Sequence, residues 1–286
     1  MTNEMNGKVV LVTGATNGIG KVTALELAKK GATVVIVGRN PEKTAAIVAE
    51  LQQQSGNPAV DCLLADLSQM TQVRRLASEF KQKYNRLDVL VNNAGSHYSK
   101  RQVTADGYEL TFAFNHLAYF LLTLLLLDLL KASAPARIVN VSSIAHQVGP
   151  LNFDDLMSVK YGMVGFRAYG QSKLANIMFT YDLARRLEGT GVTVNVLHPG
   201  SVNTGFAKNN RGIWRVVMGL ISHFSLTPEQ GAQTSIFLAS SPEVAGVSGK
   251  YFDRCRAVPS SSASYDRVAQ QRLWSVSEEL TGLPVS

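Results

Sequence analysis

Two side chains four residues apart, Tyr169 and Lys173 in the run Tyr169-Gly170-Gln171-Ser172-Lys173, have the chemistry to move a proton. On a helix that spacing sets both on one face. An ammonium beside a phenol favours the phenolate, so the tyrosine is expected below its ordinary value of about 10. Such a pair arises by chance on many exposed helices. It gains meaning from Thr13-Gly14-Ala15-Thr16-Asn17-Gly18-Ile19-Gly20, near the other end of the chain. Glycines between an apolar run and a helical pattern permit a tight turn and let the backbone approach a pyrophosphate. The helix N-terminus adds free N–H groups and the positive end of its dipole. The spacing is Gly-x-x-x-Gly-x-Gly, not the Gly-x-Gly-x-x-Gly of the standard dinucleotide fingerprint. Together the two features imply a redox reaction that moves a hydride and a proton.

The end of the second strand is expected to choose the cofactor. An NAD enzyme offers a carboxylate to the ribose 2′-hydroxyl there, about 20 residues past the loop. This chain has Gly38-Arg39-Asn40, with one guanidinium and no acid. Arg39 can pair with a 2′-phosphate that a carboxylate would repel, so NADP(H) is expected over NAD(H).

The elements that must position these residues are legible as alternating patterns. Runs 8–13, 33–37, 59–65, 87–92, 137–142 and 192–197 read as strands rich in Val, Ile and Leu, hence covered on both faces. Helical segments lie at 19–30, 41–54, 69–84, 108–131 and 169–188. This alternation implies right-handed crossovers and an α/β fold, a Rossmann-like doubly wound parallel sheet with helices on both faces. Thr227-Pro228-Glu229-Gln230 opens a late helix with a capping hydroxyl, a first-turn proline and a glutamine that reaches back. A last strand near 250–252 and a final helix over 266–280 complete the outline.

Composition narrows the function. The 286 residues carry no proline-rich, serine-rich or single-charge linker and no repeat, so one domain over 1–286 is expected. The net charge of +7 is scattered over residues such as Arg74, Arg75, Lys81, Lys83, Arg185, Arg186, Arg267 and Arg272. Without an aromatic-interleaved basic stripe or a DNA-binding helix, nucleic acid is not an expected partner. A mild pull on a polyanionic cofactor is. The longest apolar run, 120–130, is broken by Thr123 and Asp128 and falls short of the about 20 residues that span a bilayer. The first strand comes within a few residues of the N-terminus, so no transit segment or membrane anchor is expected. Two lone cysteines, Cys62 and Cys255, suit a reducing, cytoplasmic setting. His97, His116, His146, His198 and His223 lack metal-ligand spacing, and no metal is expected.

Taken in order, these residues resemble the short-chain dehydrogenase/reductase family in its compact single-domain branch. The run 13–20 is similar to that family's cofactor loop, which carries over Gly14, Thr16, Asn17, Gly18, Ile19 and Gly20 as cofactor contacts. Asp66-Leu67 resembles its adenine-contacting pair, and Asn92-Asn93-Ala94-Gly95 its structural turn, with Asn93, Ala94 and Gly95 at the cofactor. Asn115 matches the family's helix asparagine, Ser143 the serine after strand five, and Tyr169 with Lys173 its catalytic pair. Pro199-Gly200, with Val202 and Thr204, matches the segment over the nicotinamide. Phe114-Asn115-His116-Leu117, the run 141–146, the long gap between Ser143 and Tyr169, and Leu273-Trp274 with the run 277–282 resemble the retinol dehydrogenase-like branch. Many animal members of that branch are anchored in a membrane near the N-terminus.

The resemblance implies that Tyr169 exchanges a proton with the substrate oxygen and Lys173 holds the nicotinamide ribose and the tyrosine's ionisation. It implies that Ser143 hydrogen-bonds the same oxygen and that Asn115 orders a proton-relaying water. Ser142 is the neighbouring candidate; Ser143 is preferred because it lies later, at the strand's C-terminal edge. Tyr161 has Gly165, not lysine, four residues on. The apolar stretch 205–225, with Phe206, Trp214 and Met218, reads either as a core helix or as a lid that selects a hydrophobic aldehyde or ketone, and His146 as a further lining residue. The helices at 108–131 and 169–188 could join a homodimer or homotetramer, or lie against the chain's own core. The expected activity is NADP(H)-dependent interconversion of an alcohol and a carbonyl. Ser143 argues against a carbon–carbon double-bond reductase, and the full set of four argues against a non-catalytic NADP(H) sensor.

Overall fold

The computed structural model describes residues 4–159, 164–200 and 226–284. The β-branched runs form strands β1 (Val9–Thr13), β2 (Thr33–Gly38), β3 (Val60–Leu64), β4 (Val89–Asn92), β5 (Ala136–Val141), β6 (Val192–His198), β7 (Tyr251–Asp253) and β8 (Arg256–Ala257). They build one sheet in the order β3-β2-β1-β4-β5-β6-β7-β8, parallel throughout except for the final β7–β8 hairpin. Alternate residues face two apolar layers. Leu11, Val35, Leu90, Ile138 and Val194 belong to one, and Val10, Val12, Ile36, Val91 and Val139 to the other. A strand buried on both faces has no polar side to give up, which is why these runs read as continuously apolar. Strand order reverses between β1 and β4, and ligands of such sheets bind outside the carboxyl ends of the strands at that point.

Helices α1 (Gly18–Lys29), α2 (Pro41–Ser55) and α3 (Met70–Lys83) match their expected places. The region 108–131 does not form the continuous helix that its apolar content suggests. It breaks into α4 (Leu110–Phe112), a π-helical turn (Ala113–Leu117), α5 (Ala118–Leu125) and α6 (Leu127–Ala132). The π turn is kept because it releases a main-chain acceptor: Asn176 Nδ2 donates to the Asn115 carbonyl at 2.9 Å. The helix expected over 169–188 begins earlier, as α7 (Val164–Arg186). After the described segment resumes, α8 (Pro228–Ser240) opens on the anticipated reciprocal cap between Thr227 and Gln230. Helix α9 (Arg267–Thr281) ends the described fold.

The helices at 108–131 and 169–188, expected either to join subunits or to lie against the chain's own core, both pack on that core. Every residue of α7 from 168 to 183 is buried. Phe120 of α5 is covered by Trp274 of α9, ring centroids 5.1 Å apart, and Arg186 lies 3.8 Å over the same indole. Among the described residues, no helix is long and apolar enough to cross a membrane.

Candidate active site

The glycine loop is shaped by close approach. Gly14 has φ +65°, and a Cβ there would lie 2.7 Å from the Ala94 Cα; one on Gly20 would lie 2.6 Å from the Gly14 carbonyl oxygen. Only glycine lets β1, α1 and the turn after β4 converge. Asn93 fastens that turn, donating from Nδ2 to the Thr13 and Gly14 carbonyls at 2.9 and 3.2 Å. The Thr13 hydroxyl accepts from the Asn93 and Ala94 amides. Asn17 caps α1 without a side-chain hydrogen bond, and the first turn holds no acid. The N–H groups of α1 are thus left for an anionic ligand.

Gly14, Gly20, Asn93 and Ala94 line one cleft with Thr16, Asn17, Gly18, Ile19, Arg39, Asp66, Leu67, Gly95, Ser143, Tyr169, Lys173, Pro199 and Gly200. Arg39 stands at its rim, 75% exposed, 3.7 Å from the Asp66 carboxylate. Lys43 lines the same end, a second cation that the sequence reading did not single out. The donor set, unpaired helix amides beside two cations, fits a phosphorylated dinucleotide.

At the other end, Tyr169 is buried and its hydroxyl hydrogen-bonds Ser143. Ser142 is excluded from that role: its hydroxyl donates to the Lys173 carbonyl at 2.7 Å, wholly buried. Lys173 Nζ donates to the Val141 carbonyl at 3.0 Å and sits 5.6 Å from the Tyr169 ring centroid. Asn115 is fully engaged. Its Oδ1 accepts from the Ser96 amide, and its Nδ2 donates to the Ser96 carbonyl and the Ser172 hydroxyl. The asparagine side chain therefore latches the turn after β4 to α7, and any water it orders must bind elsewhere than on that amide.

The expected ionisation of the pair is reversed. Burial pushes the Tyr169 phenol up to about 12, against the lowering effect of its Ser143 hydrogen bond. Burial also pulls the Lys173 ammonium down to about 7. Four-residue spacing does bring the two together, but a lysine that is itself desolvated gives up its charge before it can acidify a neighbour.

His146 does not line the cleft. It is 1% exposed, tucked behind Ser143 against the loop before α9. Val202, Thr204, Phe206, Trp214, Met218 and the whole of 205–225 lie outside the described residues, as does Tyr161. The cleft has apolar walls that the sequence reading missed: Phe114, Ile144 and Phe166. Phe166 was legible, since it precedes Tyr169 by three residues and shares its helical face.

A family model described as short chain dehydrogenase matches residues 8–212. Human retinol dehydrogenase 11 is 44% identical over 284 residues, spanning 99% of this chain and 89% of its own. The crystal structure of an uncharacterized protein from Mycobacterium paratuberculosis superimposes with a TM-score of 0.79 at 32% identity, covering 98% of this chain and 96% of that one. A short chain dehydrogenase from Burkholderia cenocepacia, solved in complex with NADP, gives 0.70 at 28% identity over 87% and 96%.

Proposed function

The chain belongs to the short-chain dehydrogenase family of oxidoreductases acting on CH–OH and C=O groups, and from that premise we propose that it is an NADP(H)-dependent enzyme that interconverts hydrophobic alcohols with their aldehydes or ketones. The observation that carries the reading is the convergence of Ser143, Tyr169 and Lys173 on the same cleft as the glycine loop and Arg39. A bound nicotinamide would supply the hydride in the reductive direction. Tyr169, held as the neutral phenol by burial, donates the proton to the carbonyl oxygen. Ser143 hydrogen-bonds that oxygen as its charge develops, and Lys173 would hold the ribose hydroxyls of a bound cofactor. The free thiols Cys62 and Cys255 support a cytoplasmic setting.

Arg39 and Lys43 support NADP(H). Arg39→Asp replaces an attraction with a repulsion at the 2′-phosphate, and kcat/KM with NADPH should fall roughly 10²-fold while that with NADH holds or rises. An unchanged preference would reject the cofactor assignment. Substrate class rests on the apolar wall, and relatives named as retinol dehydrogenases make a polyene aldehyde a candidate. Phe166, 62% exposed at the cleft, should contact the apolar part of the substrate. Phe166→Asp is expected to raise KM for a bulky apolar aldehyde by about tenfold, the worth of one buried aromatic contact, and to leave a small polar ketone unaffected. Equal losses on both would place the substrate elsewhere. Cofactor absorbance followed with ketones, aldehydes and enones tests the reaction itself: turnover of enones alone would defeat the carbonyl reading.

A further inference from the structure

The Ser143 hydroxyl can meet a substrate oxygen only if the turn that carries it is fixed, and two histidines fix it. The turn runs from Ser143 into the short 3-10 segment Ile144–Gln147. His146 bonds to the Ser143 carbonyl twice, from its own amide at 3.1 Å and from ring Nδ1 at 2.7 Å. Its other ring nitrogen, Nε2, accepts the Ser261 amide at 3.1 Å. His198, at the end of β6, uses Nδ1 to accept the Ile144 amide at 3.2 Å. A carbonyl can only accept and an amide N–H can only donate, so both tautomers follow. His146 carries its proton on Nδ1 and His198 on Nε2. Each ring meets a backbone amide with a lone pair that protonation would remove.

We propose that His146, with His198, is a positioning residue for Ser143: the two neutral imidazoles clamp the serine's turn to the Ser261 loop and to β6, and protonating them releases it. The inference rests on Ser143 acting at the substrate oxygen. Burial favours the neutral form of both rings. The titratable groups around the clamp are Tyr251 of β7, whose ring centroid is 5.1 Å from that of His146, and Asp253 and Arg254 beside His198. Helix α7 carries Tyr169 bonded to Ser143, Lys173 on the Val141 carbonyl and Tyr181 bonded to Ser260. The phenols of Tyr169, Tyr181 and Tyr251 are all raised by burial and stay neutral. Burial lowers the Lys173 ammonium to about 7, so the variants, not the wild-type profile alone, must assign an acid limb.

His146→Leu removes the donor and the acceptor. It should lower kcat by roughly 10- to 100-fold, a fraction of what losing an oxyanion donor costs, with NADPH affinity by fluorescence titration unchanged. His146→Gln, which cannot titrate but offers both an acceptor and a donor, should recover most of that loss near neutral pH. It should also remove one proton's worth of steepness from the acid limb of kcat. Nitrogen-detected NMR of the wild-type imidazole, which needs no variant, should find the Nδ1–H tautomer of His146 persisting below the ordinary histidine value of about 6.5. An Nε2–H tautomer, or an acid limb identical in wild type and His146→Gln, would overturn the clamp. Neither result depends on whether Tyr169 is the acid, which Tyr169→Phe tests separately.

Discussion

Tyr169→Phe should cost about 10³- to 10⁴-fold in turnover, the upper range for removing a positioned general acid, and leave NADPH binding within about twofold. The reason for expecting so clean a separation is local. The ring stays, 9% exposed, with the His97 ring edge-on at a centroid distance of 5.9 Å. The lost hydroxyl strands no backbone group, because the Ser143 oxygen still accepts the Ala145 amide at 3.2 Å. A thermal midpoint unchanged beside dead catalysis identifies a chemical role. Substantial turnover by the phenylalanine variant would reject Tyr169 as the proton donor, whatever the cofactor does.

Lys173→Met should abolish activity and yet stabilise the protein. The lysine is 2% exposed, and burial lowers its ammonium to about 7. In the unfolded chain it titrates near its ordinary value of about 10.4. Below about 7 both states carry the proton, and the whole cost of burying an ammonium weighs on the fold. Between the two values the unfolded state binds more protons, so stability rises with pH; above the upper value the penalty is gone. Methionine, similar in length and uncharged, removes the penalty. Its thermal midpoint should exceed wild type by several degrees near neutral pH, at about 2–4 °C for each kcal/mol recovered, and the gap should close towards the upper value. The loss of the Nζ bond to Val141 is softened because Asn176 Nδ2 also reaches that carbonyl, at 3.5 Å. A variant less stable than wild type at neutral pH would mean that Lys173 sits in the fold as a satisfied cation.

Such a trade is expected where a charged group is buried for chemistry. The strand pattern is a different case, because there local preference and final packing agree. Leu11 and Val12 face opposite apolar layers, so a run of apolar residues is both good strand and good core. The reciprocal cap at Thr227 and Gln230 was readable for the same reason, being made by residues three apart. The region 108–131 misled because its apolar periodicity is helical throughout. What interrupts it is the Asn176 side chain, 61 positions away, bonding to the Asn115 carbonyl.

Motif spacing along the chain named the chemistry: the glycine loop, Arg39, Tyr169 and Lys173 were identified from residue type and interval, since covalent separation on a helix or after a strand fixes direction, and Ser143 entered through the family resemblance. Tertiary packing decided the charges and the partners. It agreed with the preference for Ser143 by spending Ser142 on the Lys173 carbonyl, withdrew His146 from the cleft, and set the tyrosine high and the lysine low. Those outcomes depend on how much water each group keeps, and exclusion of water is a property of every element packed around a site, which no interval in a sequence encodes.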